Sequence, residues 1–246
     1  MINKTIIALL MITLVFTPLM STTEYHTILQ PTSNGETTIS WSIEESPDVP
    51  VEWGWSGEGA WMTEEESSMT FRITNITDVV EGTLHIGNLT ITTNDTTIAR
   101  ELVIGVWGLT PFFPGLVVPI GDENMQILNE TARASAERVS GNYMNGTMIV
   151  SEQAIEVDDT SYECITFDYE QDSSGYAQPQ ITHLAYDCET GVLVWANTSY
   201  SFGTPYNLCL SLEMIAPPSP SSILALVGIA VIAVVAIIII IKVREG

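Results

Sequence analysis

The sequence predicts an α+β fold: a curved antiparallel sheet laid out as a meander and covered by one helix, followed by one C-terminal transmembrane helix. Three patterns lead there. From Thr147 to Met214 apolar residues alternate with polar ones, the period of a half-buried strand. Between 123 and 139 they recur every three or four residues, the period of a helix. Ile223 to Ile241 is apolar without a break, about the length that a bilayer core requires.

The N-terminus reads MINKTIIALLMITLVFTPLMSTTE, with Lys4, an apolar run from Ile6 to Phe16, and then small and polar residues. This is the layout of an export signal over 1–21, too short for a comfortable span. Leu19 and Met20 make a poor cleavage site, so an uncleaved anchor is the alternative. Residues 22–215 then form one extracytoplasmic domain, long enough to bury a core.

Early in that domain stands VEWGWSGEGAW. Val51, Trp53 and Trp55 alternate, so they share one side of a strand and are expected in the core, and Ser56 to Gly59 breaks the strand. Trp61, beyond the glycines, is expected to be exposed and is the candidate ligand-facing aromatic. In TLHIGNLTIT, Leu84 and Ile86 hold one phase and Leu89 and Ile91 another, which places a bulge or tight turn at Gly87. ELVIGVWGL is continuously apolar, and the prolines of PFFPGLVVP forbid a helix or central strand, so this stretch reads as an ordered apolar crossing loop.

Asp122 can cap a helix from Glu123 to Val139, with Met125, Leu128, Ala132 and Ala136 on one stripe and Gly141 to end it. Arg133 is set to pair with Glu130 and Glu137. Five strands follow, with turn signals at DD, QDSSG, ETG and FGTP. Ile165, Phe167 and Tyr169 share a face, and so do Leu193 and Trp195; Phe167 and Trp195 are expected to be buried. The apolar face of this meander needs a cover, and the 123–139 helix is the expected one.

After a Pro/Ser spacer at 216–222, the 223–241 helix ends at Lys242 and Arg244, which hold the tail 242–246 in the cytoplasm. The domain therefore faces outward from a cell membrane. It holds 29 of the 30 acidic residues and only Arg72, Arg100, Arg133 and Arg138 as cations, a net charge of about −25. Such a surface repels nucleic acid and favours solubility. Six glycosylation sequons begin at Asn75, Asn88, Asn94, Asn129, Asn145 and Asn197, as expected of a surface glycoprotein.

Sites of chemistry are harder to find. His26, His85 and His183 are too far apart to read as a metal motif, so no metal site is expected. GWSGEG lacks the spacing of a nucleophile elbow, and no phosphate loop or dinucleotide fingerprint is present, so neither a catalytic set nor a cofactor is expected. DYEQDSSG begins like a calcium loop, but Ser173 and Pro179 stand where glycine and glutamate belong, so it reads as a solvated hairpin tip from Asp168. Cys164, Cys188 and Cys209 are odd in number in an exported domain. Position along the meander favours a disulfide between Cys164 and Cys188, and strand parity favours Cys164 with Cys209.

GTLHIGNLTITTNDTTIARELVIGVWG, PFFPGLVVP and AYDCETGVLVWANTSY, in the span from Thr70 to Met214, resemble segments of uncharacterised exported, single-span surface proteins of archaea. The resemblance implies a surface-anchored ectodomain and no activity. The strand-and-helix layout is also similar to the curved-sheet carriers of lipid and lipoprotein, an analogy of fold alone. The expectation is a non-catalytic binding or scaffolding domain whose partner is a cell-wall component, a protein or an apolar ligand. The alternatives are a membrane-tethered hydrolase using acidic residues and an accessory subunit that works through its transmembrane helix.

Overall fold

The computed structural model describes residues 24–33, 35–54, 59–107, 110–136, 145–172, 179–200 and 206–218. The expected signal segment, Trp55, the helix end at 137–139, the tip residues 173–178 and the 223–241 run lie outside them. Among the described residues no helix is long and apolar enough to cross a membrane.

Strands β1 (Thr37–Glu45), β4 (Ser67–Ile76), β5 (Val80–Ile86) and β6 (Leu89–Asn94) form one half of a broad antiparallel sheet. The other half is β7 (Gly146–Val157), β8 (Thr160–Gln171), β9 (Ile181–Asp187), β10 (Leu193–Tyr200) and β11 (Tyr206–Ala216). The order across the sheet is β6-β5-β4-β1-β11-β10-β9-β8-β7. The five-strand meander expected beyond Thr147 is present, and the tight turn expected at Gly87 joins β5 to β6, with a positive φ of 52° that glycine adopts freely. Among the described residues two α-helices complete the fold, α1 (Asp95–Glu101) and α2 (Asp122–Ala136).

Alternation puts one face of the sheet indoors. Ile39, Trp41 and Ile43 of β1, Met69, Phe71 and Ile73 of β4, and Leu208 and Leu210 of β11 are all fully buried. Phe167 and Tyr169 continue that face onto β8. Trp195 does not. A register shift between Leu193 and Trp195 moves it to the opposite face, where it is half-buried and stacks on His183 with ring centroids 6.4 Å apart.

The cover of the buried face corrects the expectation. Helix α2 packs chiefly along the edge strand β7, and of its residues only Ala132, Ser135 and Ala136 are buried. Most of the covering is done by the crossing segment after α1, where Leu102, Ile104, Val106, Leu116 and Val118 are completely buried. A buried irregular segment must find partners for its backbone. The sheet supplies them from side chains. Tyr206 Oη donates to Leu102 O at 2.9 Å, Thr198 Oγ1 to Val103 O at 2.8 Å and Tyr186 Oη to Gly115 O at 2.8 Å. Thr182 Oγ1 and Gln180 Nε2 both donate to Gly105 O at 3.0 Å. Leu193 N, donating to Leu116 O at 3.0 Å, adds a backbone tie.

Helix α1 feeds the chain into this path. Asn94 caps it, its side chain accepting from Thr97 N. At the other end Ile104 N donates to Ala99 O and Val103 N to Arg100 O, the paired bonds of a left-handed helix stop. Val103 takes the position usual for glycine, at φ 55°. A β-branched residue there is strained, and its burial and the Thr198 bond hold it in place.

Strands β2 (Val51–Trp53) and β3 (Gly59–Trp61) pair as a separate hairpin. Trp61 is 1% exposed, not outward-facing as expected. The register explains it: Val51 lies opposite Trp61 and Trp53 opposite Gly59, so the returning strand turns Trp61 to the same side as Trp53. Glu101 of α1 fastens the hairpin by accepting from Gly54 N at 2.9 Å.

Candidate functional site

A cleft of about 440 Å³ opens between α2, the crossing segment and the start of α1. Phe112, Phe113 and the prolines around them form one wall, and Ile127, Leu128 and Thr131 of α2 the other. Tyr25, the β4–β5 turn at Asp78 and Val79, and Asp95 close the end. Ile127 is 50% and Val79 37% exposed, an apolar rim on a surface otherwise dominated by carboxylates. Small-molecule sites are commonly concave and of this size, and this one mixes apolar residues with the polar side chains of Tyr25, Asp78, Asp95, Thr96, Asn124 and Thr131.

Asp95 is the most constrained polar group of the site. It is 2% exposed at the first turn of α1, with Oδ1 accepting from Thr96 N at 2.9 Å and Oδ2 from Val117 N at 3.3 Å. Loss of water raises its carboxyl to about 7, against the lowering effect of the N–H groups of Val117, Thr96 and Val80. The segment passes close because residue 115 is glycine: a Cβ there would lie 2.3 Å from Asp95 Oδ2, at a φ of 111°. Tyr25 Oη lies 3.5 Å from Asp78 O. Burial first, then Asp95 and Asp78, push the Tyr25 phenol up to about 12, so it stays protonated.

The six sequon asparagines are scattered. Asn75 of β4 is exposed, donating to Glu81 at 2.9 Å. Asn88, in the β5–β6 turn, is tied at both ends, to Met62 N and Ala60 O. Asn94 is the α1 cap, Asn129 of α2 accepts from Arg133 Nε at 2.7 Å, and Asn197 of β10 sits opposite His183. Asn145, just before β7, has a buried Oδ1 without a partner, as does the indole nitrogen of Trp61. Arg133 bonds Asn129 and not Glu130, which instead accepts from Gln126, while its other expected partner, Glu137, lies outside the described residues.

All three cysteines are free thiols. Cys164 lies opposite Asp187, so Cys188 is its diagonal neighbour, while Cys209 donates to Glu44 at 3.2 Å on another part of the sheet. Burial raises the Cys164 and Cys209 thiols to about 12. Asp168, expected to begin a hairpin tip, stands within β8 with Oδ1 2.8 Å from His183 Nδ1. Among the described residues no three His, Cys, Asp or Glu side chains are placed to hold a metal ion. The cleft itself draws on five separate stretches of chain, and no local motif announces it.

In comparisons with known proteins, no family model, curated protein or solved structure matches this chain.

Proposed function

We propose that this is a non-catalytic binding domain, glycosylated and held on the outer side of a cell membrane by the 223–241 segment, with the cleft beside α2 as its binding site. The cleft carries the reading: about 440 Å³ of space between aromatic and aliphatic walls. The signal-like N-terminal run and the charges after the C-terminal apolar run support the location. The hydrolase alternative finds little in the cleft, because the Asp95 oxygens are engaged with backbone N–H groups that hold the crossing segment.

Binding is tested with 2-phenylethanol, a neutral aromatic probe, on the full chain in lipid nanodiscs, with empty nanodiscs as the reference. Ligand NMR should detect binding, and Ile127→Trp, which adds bulk to the cleft wall, should remove it. Probe binding unaffected by that substitution, or none at all, overturns the assignment of the site. Location is tested separately: protease added to intact cells should degrade the domain while a cytoplasmic marker survives.

A further inference from the structure

We infer that the cleft takes a ligand carrying a positively charged ammonium group on an apolar or aromatic body. This rests on the binding reading above and names the ligand's chemistry. The first reason is a count of donors and acceptors. Asn124 spends Nδ2 on Ile120 O at 2.7 Å, Thr131 spends its hydroxyl proton on Ile127 O at 2.8 Å, and the Tyr25 hydroxyl faces Asp78 O. Apart from the second N–H of Asn124, what these side chains still offer is lone pairs. The Asp78 carboxylate adds more, and Thr96 contributes a hydroxyl able to act either way. A ligand without donors would leave these acceptors desolvated and unpaired, which costs binding energy.

The second reason is charge. Arg72 lies 3.6 Å from Glu36, Arg100 lies 2.9 Å from Glu101, and Arg133 bonds Asn129; none of the three lines the cleft. Among the described residues, which do not include Arg138, the charged groups that line the cleft are Asp78 and Asp95, in a molecule already strongly negative, and they disfavour anions. The third is the walls. Tyr25 and Phe113, both only partly buried, bring aromatic rings to the lining, and the faces of such rings attract cations. Burial has already raised the Asp95 carboxyl to about 7, and an ammonium group nearby would favour its ionised form.

The test compares three probes that share a phenyl ring: 2-phenylethylammonium, 2-phenylethanol and 3-phenylpropanoate. Each is titrated onto the full chain in lipid nanodiscs, with empty nanodiscs subtracted. The ammonium should bind about tenfold tighter than the alcohol, a preference of the size that desolvated cation–π and charge contacts supply, and the propanoate weakest of all. Asp78→Asn, at an exposed turn, should cancel the preference for the ammonium over the alcohol, and a preference unchanged in that variant would overturn the charge inference. Equal binding of ammonium and alcohol, both lost in Ile127→Trp, would overturn the charge inference while keeping the site. Propanoate binding best would also overturn it. Absence of binding by all three, or binding indifferent to Ile127→Trp, would remove the binding site and this inference together.

Discussion

The crossing segment from Leu102 to Val118 and helix α2, the expected cover, both lie against the sheet, and the molecule uses them differently. The segment is irregular and proline-punctuated, yet its apolar side chains are almost all buried. The helix is regular and amphipathic, yet Ile127 is half exposed and only three of its residues are buried. A helix satisfies its own backbone and needs from the sheet only an apolar surface. An irregular segment needs specific hydrogen-bond partners, and once these exist it can follow the sheet more closely than a cylinder can. The difference leaves α2 standing off at the edge of β7, with the cleft between it and the segment.

Substitutions can break this contrast. Phe112 is 2% exposed, with its ring centroid 5.2 Å from that of Phe167, so alanine at either position should cost about 3–5 kcal/mol. Denaturant unfolding of the full chain, followed by tryptophan fluorescence, measures it; a loss below about 1 kcal/mol would mean that the segment does not form the core.

Asp95 should make stability depend on pH. Unfolded, its carboxyl titrates near the ordinary 3.8; folded, near 7. Between those values the native state keeps a proton that the unfolded state has lost, so stability is complete below the lower value, falls as pH rises and levels off above the upper. The decline attributable to this group is roughly 4 kcal/mol. Tyr25 and Tyr186, the phenols beside it, are both held protonated across this range. Asp95→Asn should remove this part of the decline, read as a difference curve between the two proteins. A flat difference curve would mean that the carboxylate is solvated.

Thr198→Val tests the polar half of the contrast. It keeps the volume near constant but removes one of the two donors to the Val103 carbonyl, Gly105 N remaining, which should cost about 0.5–1.5 kcal/mol in the same unfolding measurement. A neutral result would show that the Gly105 bond is enough for that carbonyl. At the bottom of the scale, Ile127→Ser on α2 should change stability by no more than about 0.5 kcal/mol. A larger loss would make the helix part of the cover after all.

The sheet's second half was legible because alternation is a local signal: Ile165, Phe167 and Tyr169 declare their face without help from the rest of the chain. The segment's order was legible from its prolines, but its role was not. That role depends on Thr182, Thr198, Tyr186 and Tyr206, which in the sequence look like ordinary members of alternating strands. Trp195 departs from its expected face because a single register shift reverses parity, and Trp61 because β3 pairs antiparallel with β2 and sets it opposite Val51. The cleft was illegible for a different reason: Tyr25, Asp78, Asp95, Phe113 and Ile127 meet only after the whole sheet has formed.

The position of β1 has a consequence for how the protein is made. Thr38 pairs with Arg72 on one side and Ala216 on the other, so the first of the described strands to be synthesised is the seam that joins the sheet's two halves, and its second neighbour is the last of them. While the ribosome works through the intervening chain, β4 to β6 can fold against one side of β1, but its other side stays an open template for wrong partners. The seam closes only when β11 emerges. A nascent chain halted before Tyr206 therefore retains an unpaired β1 edge at the centre of the future sheet, a form suited to recognition by chaperones and proteases.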